Sequence, residues 1–273
     1  MSKGFKLREH GDLAYLTIPA FDETNLVTHC FTTRKGGFSQ EPFSSLNMAL
    51  HVKDDPTAVC QNRAKICNAL GIRATDLVTG EQVHGENILV ITEQQKGKGA
   101  LDYSSTCKAV DAFITNKRSI PLSTFYADCA PIFILDPVTP AISLAHAGWK
   151  GTVAKIGAKA MLKMQQEFGT KPEDCLIGIG PSIGPCCYEV DERVISQFAQ
   201  KFSNYQDFIQ AKAPGKWLLD LWQANKTALL EVGIREKNIT NSGFCTNCHN
   251  DLFFSYRAEN GQTGRMAALL MLN

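Results

Sequence analysis

The segment PIFILDPVTPAISLAHAGWKGTVAKIGAKAMLKMQQEFG, residues 131–169, has an apolar pattern that predicts three successive secondary-structure elements. Two short apolar runs, 131–135 and 141–145, are separated by a proline-containing turn and predict a pair of strands. From Thr152 to Phe168 apolar residues recur at steps of three and four, and Gly169 is a typical C-cap, so a helix is predicted. Strands and a helix in close succession favour a mixed α/β or α+β fold.

The same mixture of short strands and helices extends in both directions from this segment. Further strands are predicted at 27–33, 88–92 and 111–115. One helix is predicted to begin after Asp55 and to end at Gly71, and two others start at Asp191 and cover 218–229. Neither a low-complexity linker nor a tandem repeat interrupts the sequence, so we expect a single domain over residues 1–273.

Composition and charge favour a globular protein that acts on small molecules. Apolar residues make up 44% of the chain and charged residues 20%, which is ordinary globular usage. The net charge of +1 is too small to attract nucleic acid or an anionic membrane over long range. The first residues lack the apolar core of a signal peptide, so we expect a cytoplasmic protein whose ten cysteines are thiols or metal ligands. The sequence leaves the oligomeric state open and is compatible with a monomer.

Three segments place a metal-binding side chain beside glycine or another small residue. They are EQVHG at 81–85, ADCAP at 127–131 and AHAGWKG at 145–151. Imidazole nitrogen and cysteine sulfur are preferred ligands of zinc, and a catalytic zinc ion keeps three protein ligands and one open position. His84, Cys129 and His146 therefore form a candidate ligand set. Their spacing matches no short zinc motif, so the pattern alone leaves open that each is a hydrogen-bonded interior residue.

These segments and four others, in order along nearly the whole chain, closely resemble the laccase-domain (YfiH-like) family of purine nucleoside enzymes. The other four are FTTRKGG at 31–37, SLN at 45–47, GPSIGPCCYEV at 180–190 and FFSYR at 253–257. The resemblance implies one α/β domain of layered mixed β-sheets flanked by helices, with zinc on His84, Cys129 and His146. It also implies phosphorolysis of adenosine, inosine and S-methyl-5'-thioadenosine to the free base and a (methylthio)ribose 1-phosphate, with adenosine deaminase activity.

The expected chemistry depends on this zinc ion, with copper as the alternative metal. Cys129 and His146 are the expected catalytic residues, together with a metal-bound water whose pKa is lowered toward about 7 and which attacks a purine C6. Phosphorolysis instead needs groups that hold phosphate beside the anomeric carbon. The candidate substrate- and phosphate-binding residues are Arg34, Asn47, Gln82, Lys150, Glu189 and Arg257. Arg265 is expected to be a solvated surface charge.

A cysteine hydrolase would use the same residues differently. Cys129 as nucleophile and His146 as base, oriented by Asp111 or Asp128, would cleave an amide, as in editing of peptidoglycan precursors. Metal content separates the two hypotheses, because a zinc-bound thiolate is a poor nucleophile whereas a hydrolase works with a chelator present. Polyphenol oxidase activity, a name also used in the family, is a third hypothesis, but six histidines are few for a multicopper site.

Cysteines outside the three segments raise further hypotheses. Cys245-Thr-Asn-Cys248-His249 matches the c-type haem attachment pattern, which we reject because such chains are exported. The same three side chains could hold a second zinc ion, but no further ligand pair of matching spacing is evident. Cys186 and Cys187 are adjacent, and because adjacent cysteines rarely reach disulfide geometry we expect buried thiols.

Overall fold

Three β-sheets and six α-helices make up the described residues, 4–273, of the computed structural model. The strands are β1 Lys6–His10, β2 Leu13–Thr17, β3 Val27–Thr32, β4 Val78–Thr79, β5 Ile88–Val90, β6 Ala112–Thr115, β7 Leu122–Tyr126, β8 Ala130–Asp136, β9 Ala141–Ala147, β10 Leu176–Ile179, β11 Glu189–Asp191, β12 Ile209–Ala213, β13 Lys216–Leu219, β14 Ile239–Asn241 and β15 Met266–Leu272. The helices are α1 Pro19–Asp22, α2 Pro56–Ala69, α3 Trp149–Val153, α4 Ile156–Phe168, α5 Glu192–Lys201 and α6 Leu221–Glu231.

Two of the sheets have six strands each and mix parallel with antiparallel pairs. The first has the order β1-β2-β3-β15-β7-β4 and the second the order β14-β10-β8-β9-β6-β5. The pairs β4–β7, β5–β6 and β10–β14 are parallel. The third sheet, β11-β13-β12, is antiparallel. Across residues 4–273, no helix has the length and apolar character needed to cross a membrane.

The two six-stranded sheets pack face to face, and the alternation of side chains along each strand explains how. In β7, Tyr126 points into the core between the sheets, whereas Phe125 packs in a separate core with residues of α2. In β8, Phe133 points into the inner core and Ile132 packs with residues of α4. Helices therefore cover the outer faces, which confirms the predicted α/β fold of layered mixed sheets flanked by helices.

The helices largely follow their sequence signals. In α2 the Asp55 carboxylate accepts a hydrogen bond from the Thr57 N–H as an N-cap, and Gly71 after the helix has a φ of 68°. The helix predicted from Thr152 is wrong at its start, because Lys155, with a φ of 56°, separates α3 from α4. This break lets Val153 of α3 pack in one core while most apolar residues of α4 pack in another.

The helix predicted over 218–229 also begins later than expected. Leu218 lies in β13, where it pairs with Glu189, and α6 begins at Leu221. The reason is Asp220, whose carboxylate accepts a hydrogen bond from the Gln223 N–H at 3.0 Å and caps the helix there. The remaining helix begins as predicted, with Asp191 as the N-cap of α5.

Candidate active site

The three predicted metal ligands meet where the β8–β9 strand pair ends. Cys129 directly precedes β8, and His146 lies in β9 opposite Pro131. His84 belongs to the loop after β4 and has a φ of 59°. The Cys129 Sγ lies 3.8 Å from the His84 Nε2, and the two imidazole rings are 4.8 Å apart. The structure thus brings together side chains that are far apart in the sequence, with their ligand atoms within 4.8 Å of one another.

A fully buried carboxylate, that of Asp111, holds two of these ligands. It accepts hydrogen bonds from the backbone N–H groups of Val83, His84 and Gly85 at 3.2, 3.0 and 2.8 Å. It also accepts one from His146 Nδ1 at 2.9 Å, which leaves Nε2 as the nitrogen available to a metal. Burial raises the pKa of Asp111, but the hydrogen bonds from His146 and the backbone outweigh burial and lower it.

Gly148 leaves space beside two of the ligands. A Cβ at this position would lie 2.9 Å from the Cys129 Sγ and 3.0 Å from the His84 Cδ2. Its φ of −65° is accessible to every residue, so the requirement for glycine is one of space alone. The glycine that follows β9 is therefore part of the architecture of the site.

Cys129 and His146 shift each other's ionisation in opposite directions. Burial raises the pKa of the Cys129 thiol, but the imidazoles of His146 and His84 lower it to about 6. Burial lowers the pKa of His146, but Cys129 and Asp111 raise it to about 9. The arrangement therefore favours the thiolate of Cys129, which is the form of cysteine that binds metals and attacks electrophiles.

The three ligands line a cavity of about 580 Å³, a size typical of small-molecule sites. Its other walls carry four aromatic residues and two arginines, namely Phe125, Trp149, Tyr188, Tyr256, Arg257 and Arg265. The cavity thus combines flat apolar surfaces with positive charge beside the candidate metal ligands.

Asp128 fixes the side of the cavity that carries Arg257. Its carboxylate accepts hydrogen bonds from the Thr246 hydroxyl at 2.6 Å and from the Arg257 backbone N–H at 2.7 Å. The Arg257 guanidinium donates to the Glu189 carbonyl O at 3.2 Å and lies 5.5 Å from the centre of the Tyr188 ring. Segments far apart in the chain therefore hold Arg257 at the cavity.

Gln82 and Arg257 are the predicted substrate-binding residues that line this cavity. The Gln82 amide forms two hydrogen bonds with the backbone of Phe125, donating to its carbonyl O at 3.0 Å and accepting from its N–H at 2.7 Å. Asn47 is fully buried outside the cavity, and its Oδ1 accepts from the Arg265 backbone N–H at 2.9 Å. Both amides therefore shape the wall, and the role of Asn47 as a substrate contact stays a prediction.

Arg34, for which phosphate binding is predicted, lies outside the cavity. Its guanidinium donates to the carbonyl oxygens of Ser44 and Asn250 and forms an ion pair with Glu259 at 3.0 Å. It also lies 4.6 Å from the centre of the Phe254 ring. These contacts engage the guanidinium and fix the loops around it.

Lys150 and Glu189 are also displaced from the cavity. Lys150 lines a separate cavity of about 820 Å³, which shares His84 and Trp149 with the first. The Glu189 carboxylate pairs with Lys212 at 2.8 Å, and only the Glu189 carbonyl O reaches the arginine of the cavity wall. Neither residue is therefore among those that line the 580 Å³ cavity, and their role in substrate or phosphate binding stays a prediction.

Sequence reasoning missed His51 and took Arg265 for a surface charge, yet both line the cavity. Burial is the main cause that lowers the pKa of His51 to about 4, so its imidazole is neutral at pH 7. The adjacent Gly264, whose Cβ would lie 2.6 Å from the Phe254 ring, was a signal that Arg265 follows a tightly packed turn. His51 has no comparable local signal.

The donor set at this centre fits zinc. Two imidazoles and a thiolate match the preferred zinc ligands, and three protein ligands leave one position open toward the cavity. The hydrogen bond from His146 to Asp111 is the kind of outer contact that orients a metal-binding imidazole. Copper accepts the same ligands, so the donor set allows either metal.

Comparisons with known proteins agree with the fold and show the family. Residues 28–273 match the family described as multi-copper polyphenol oxidoreductase laccase. The chain is 39% identical over 240 residues to the purine nucleoside phosphorylase YlmD of Geobacillus stearothermophilus, covering 88% of each. It is 32% identical over 235 residues to the adenosine deaminase RL5 of an unknown prokaryotic organism, covering 86% of this chain and 89% of that one. The crystal structure of the hypothetical protein YfiH of Bacillus licheniformis matches with a TM-score of 0.92 at 36% identity, over 98% of this chain and 99% of that one.

The fold and the site together define a protein of the laccase-domain class, with two packed mixed sheets and a His-Cys-His centre at the end of a strand pair. The chain belongs to the multi-copper polyphenol oxidoreductase laccase family, among relatives named YlmD and YfiH. The family resemblance that the sequence motifs indicated is therefore confirmed.

Proposed function

We propose that this protein is a zinc-dependent purine nucleoside phosphorylase that also deaminates adenosine. Its substrates are adenosine, inosine and S-methyl-5'-thioadenosine, and its phosphorolysis products are the free base and ribose or methylthioribose 1-phosphate. The observation that carries the proposal is the combination of a His-Cys-His ligand set, two arginines and four aromatic rings in one cavity. The names of relatives, purine nucleoside phosphorylase YlmD and adenosine deaminase RL5, support it.

His84, Cys129 and His146 are the residues that hold the zinc ion in this proposal. When bound, zinc supplies a Lewis acid at the edge of the cavity. Asp111 keeps the His146 imidazole in one orientation through its hydrogen bond to Nδ1. A multicopper oxidase would need many more imidazoles than this cavity offers, since His51 is the only further histidine among the described residues that line it.

Arg257 and Arg265 are the phosphate-binding groups in this proposal. A guanidinium can donate two parallel hydrogen bonds to phosphate, and its charge is permanent at physiological pH. Arg257 is held against Tyr188, and Arg265 donates to the carbonyl oxygens of Thr263 and Gly264 at 2.6 and 2.9 Å. Because both side chains are already held in position, little conformational entropy is lost when phosphate binds.

The remaining walls suit a nucleoside. The aromatic rings of Phe125, Tyr188 and Tyr256 offer flat faces on which a purine can stack. The neutral imidazole of His51 offers one donor and one acceptor, which match sugar hydroxyls. Burial raises the pKa of Tyr188, so its hydroxyl stays protonated and can donate a hydrogen bond to the base.

In phosphorolysis an oxygen of phosphate forms a bond to C1' of the sugar while the bond between C1' and N9 of the purine breaks. The electron pair of that bond goes to the purine, which takes up a proton and leaves as the free base. Positive charge develops on the sugar ring, so an aligned phosphate dianion stabilises the transition state. Arg257 and Arg265 supply the alignment. Deamination needs no phosphate, because the oxygen of water bonds to C6 and the amino group leaves as ammonia.

A cysteine hydrolase is the second candidate, because one set of contacts favours it. Cys129, His146 and Asp111 have the order of nucleophile, base and orienting carboxylate, and the pKa of Cys129 is lowered to about 6. His84 argues for the metal instead, because its Nε2 lies 3.8 Å from the sulfur and a hydrolase has no use for a second imidazole there. Amide cleavage that persists with a chelator would favour the hydrolase.

The test is chromatographic detection of hypoxanthine and ribose 1-phosphate from inosine, with and without phosphate. The wild type is compared with Cys129→Ala and with a control, Cys60→Ala, which removes a half-buried thiol on α2. The proposal expects phosphate-dependent release by the wild type and the control and none by Cys129→Ala. Zinc-loaded wild type that releases no hypoxanthine would overturn the proposal.

A further inference from the structure

A second group of potential metal ligands lies outside the cavity, where two loops meet. Cys186 and Cys187 belong to the loop between β10 and β11, and Cys245 and Cys248 to the loop between β14 and β15. Their four sulfur atoms lie within 4.8 Å of one another. We infer that these four thiols bind one structural zinc ion, distinct from the ion of the His-Cys-His centre.

The sulfur positions suit a single tetrahedral ion. The Sγ atoms of Cys186 and Cys187 each lie 3.4 Å from the Sγ of Cys248. Four sulfurs bound to one zinc ion at about 2.3 Å are roughly 3.8 Å apart, so small side-chain shifts bring these thiols to a common ion. An iron–sulfur cluster instead distributes its four cysteines over two or four irons, which requires more widely spaced sulfurs.

The backbone beside the cluster favours a thiolate at Cys245. The Gly184 N–H donates a hydrogen bond to the Cys245 Sγ at 3.2 Å, and such a bond stabilises negative charge on sulfur. Ser182 forms a β-bridge with Cys245, so the two loops are already joined at this point. Cys186 and Cys248 are exposed, which lets an ion enter from solvent.

This cluster changes two sequence-based expectations. Cys186 and Cys187 supply the ligand pair that the 245–248 motif lacked. Cys186 is exposed and Cys187 is half-buried, so neither is the buried thiol expected from the sequence. His249 is outside the cluster, because its ring packs edge-on against Phe244 with the ring centres 5.5 Å apart. Residues about 60 positions apart thus complete a set that a local motif could not reveal.

The ion would fix one side of the active-site cavity. Cys187 directly precedes Tyr188, whose ring packs against the Arg257 guanidinium. Thr246 lies between the two thiols of the second loop, and its hydroxyl donates to Asp128 at 2.6 Å. Loss of the ion is therefore expected to lower the Tm and to raise KM for substrates that contact this wall, without removing a group from the reacting atoms.

The test is the zinc content of the full chain, prepared without an affinity tag and with a reductant present. We expect about two zinc ions in the wild type and about one in Cys129→Ala. The double variant Cys186→Ser/Cys248→Ser changes two exposed residues and is expected to hold one ion, and its combination with Cys129→Ala none. The matched control, Cys60→Ser, is expected to keep both ions.

Cobalt gives a second measurement that does not depend on the serine variants being folded. Cobalt bound to Cys129→Ala is expected to give an intense thiolate-to-cobalt charge-transfer band and the visible spectrum of a tetrahedral tetrathiolate site. The inference is overturned if Cys129→Ala holds no zinc and gives no such band, or if reductant-purified protein contains a disulfide between Cys186 and Cys248. Neither measurement involves nucleoside turnover, so this result and the test of the proposed function are independent.

Discussion

The His146 Nδ1 donates a hydrogen bond to Asp111 at 2.9 Å, and the same carboxylate accepts the backbone N–H of His84 at 3.0 Å. One buried side chain therefore orients two of the three candidate metal ligands, one through its ring and the other through its backbone. Outer contacts of this kind fix which imidazole nitrogen faces the metal and how basic it is. The strength of metal binding is accordingly expected to depend on a residue that never touches the metal.

Asp111→Asn is expected to weaken zinc binding at the His-Cys-His centre by roughly 10- to 100-fold. The amide has one acceptor oxygen and no charge, so it cannot serve the Nδ1 of His146 and all three backbone donors. Competition with a chromogenic chelator measures the affinity, and Asp251→Asn, at an exposed position, is the control. Unchanged affinity in Asp111→Asn would show that the carboxylate does not orient the ligands.

Gly148→Ala is expected to abolish zinc retention at the same centre while changing the free energy of unfolding by only about 1 kcal/mol. The added methyl group would lie 2.9 Å from the Cys129 Sγ, and the backbone conformation itself tolerates alanine. Zinc content and urea unfolding measure the two effects. Gly157→Ala in α4, whose methyl group would meet only the Ile132 side chain at 3.3 Å, is the control and is expected to retain zinc.

Arg265→Ala and Arg34→Ala are expected to affect different properties. Loss of Arg265 removes a positive charge from the cavity. KM for phosphate is therefore expected to rise tenfold or more, because the binding free energy lost is roughly that of one charge-assisted hydrogen bond. Loss of Arg34 removes contacts to Ser44, Asn250 and Glu259, so the free energy of unfolding is expected to fall by about 1–3 kcal/mol with KM unchanged. Phosphate-dependent kinetics and urea unfolding of both variants check this, and the reverse pattern would contradict it.

Stability is expected to fall as the pH is lowered from 7 to 5 because of His29. This buried imidazole accepts the Ile18 N–H at 2.8 Å, and burial, only partly offset by Asp22, lowers its pKa to about 4. Below pH 6.5 the unfolded chain binds a proton that the folded chain does not, so the stabilisation present above pH 6.5 is lost toward pH 4. The loss between pH 7 and pH 5 is expected to be about 2 kcal/mol.

Urea unfolding of wild type and His29→Gln at both pH values measures this loss. The glutamine oxygen can accept the same N–H but does not titrate, so the variant is expected to lose less stability on acidification. Equal losses in both proteins would assign the pH dependence to other groups, of which His51 has a pKa lowered in the same direction.

The sequence predicted part of the fold, including two central buried strands, but it did not predict the buried strands β7 and β15 or the exposed strand β12. The predicted strands at 131–135 and 141–145 lie within β8 and β9, because both are buried on two faces and read as unbroken apolar runs. The strand β12 was not predicted, because four of its five residues are exposed and carry no alternation. The break at Lys155 depends on packing against two separate cores, which no local pattern encodes.

The candidate site was predictable only where small residues accompany the functional ones. The small residues beside His84, Cys129 and His146 drew attention to side chains that the structure brings together. Charge alone did not show which of Arg34 and Arg265 lines the cavity, because that depends on the loop that each guanidinium contacts. His51 reaches the cavity through tertiary packing against Tyr103 and Phe125. The roles of these residues in binding and catalysis stay predictions.

The position of β15 in the first sheet has a consequence for the order of folding. This strand lies between β3 and β7, and the Ala267 N–H bonds to the Thr32 hydroxyl across 235 residues of sequence. During synthesis β3 and β7 therefore emerge with a gap between them that only the last strand fills, so their facing edges stay unpaired until then. The nascent chain has to keep two apolar strand edges apart from other chains until residues 266–272 arrive, so the long interval between the emergence of β7 and that of β15 is the stage most exposed to aggregation.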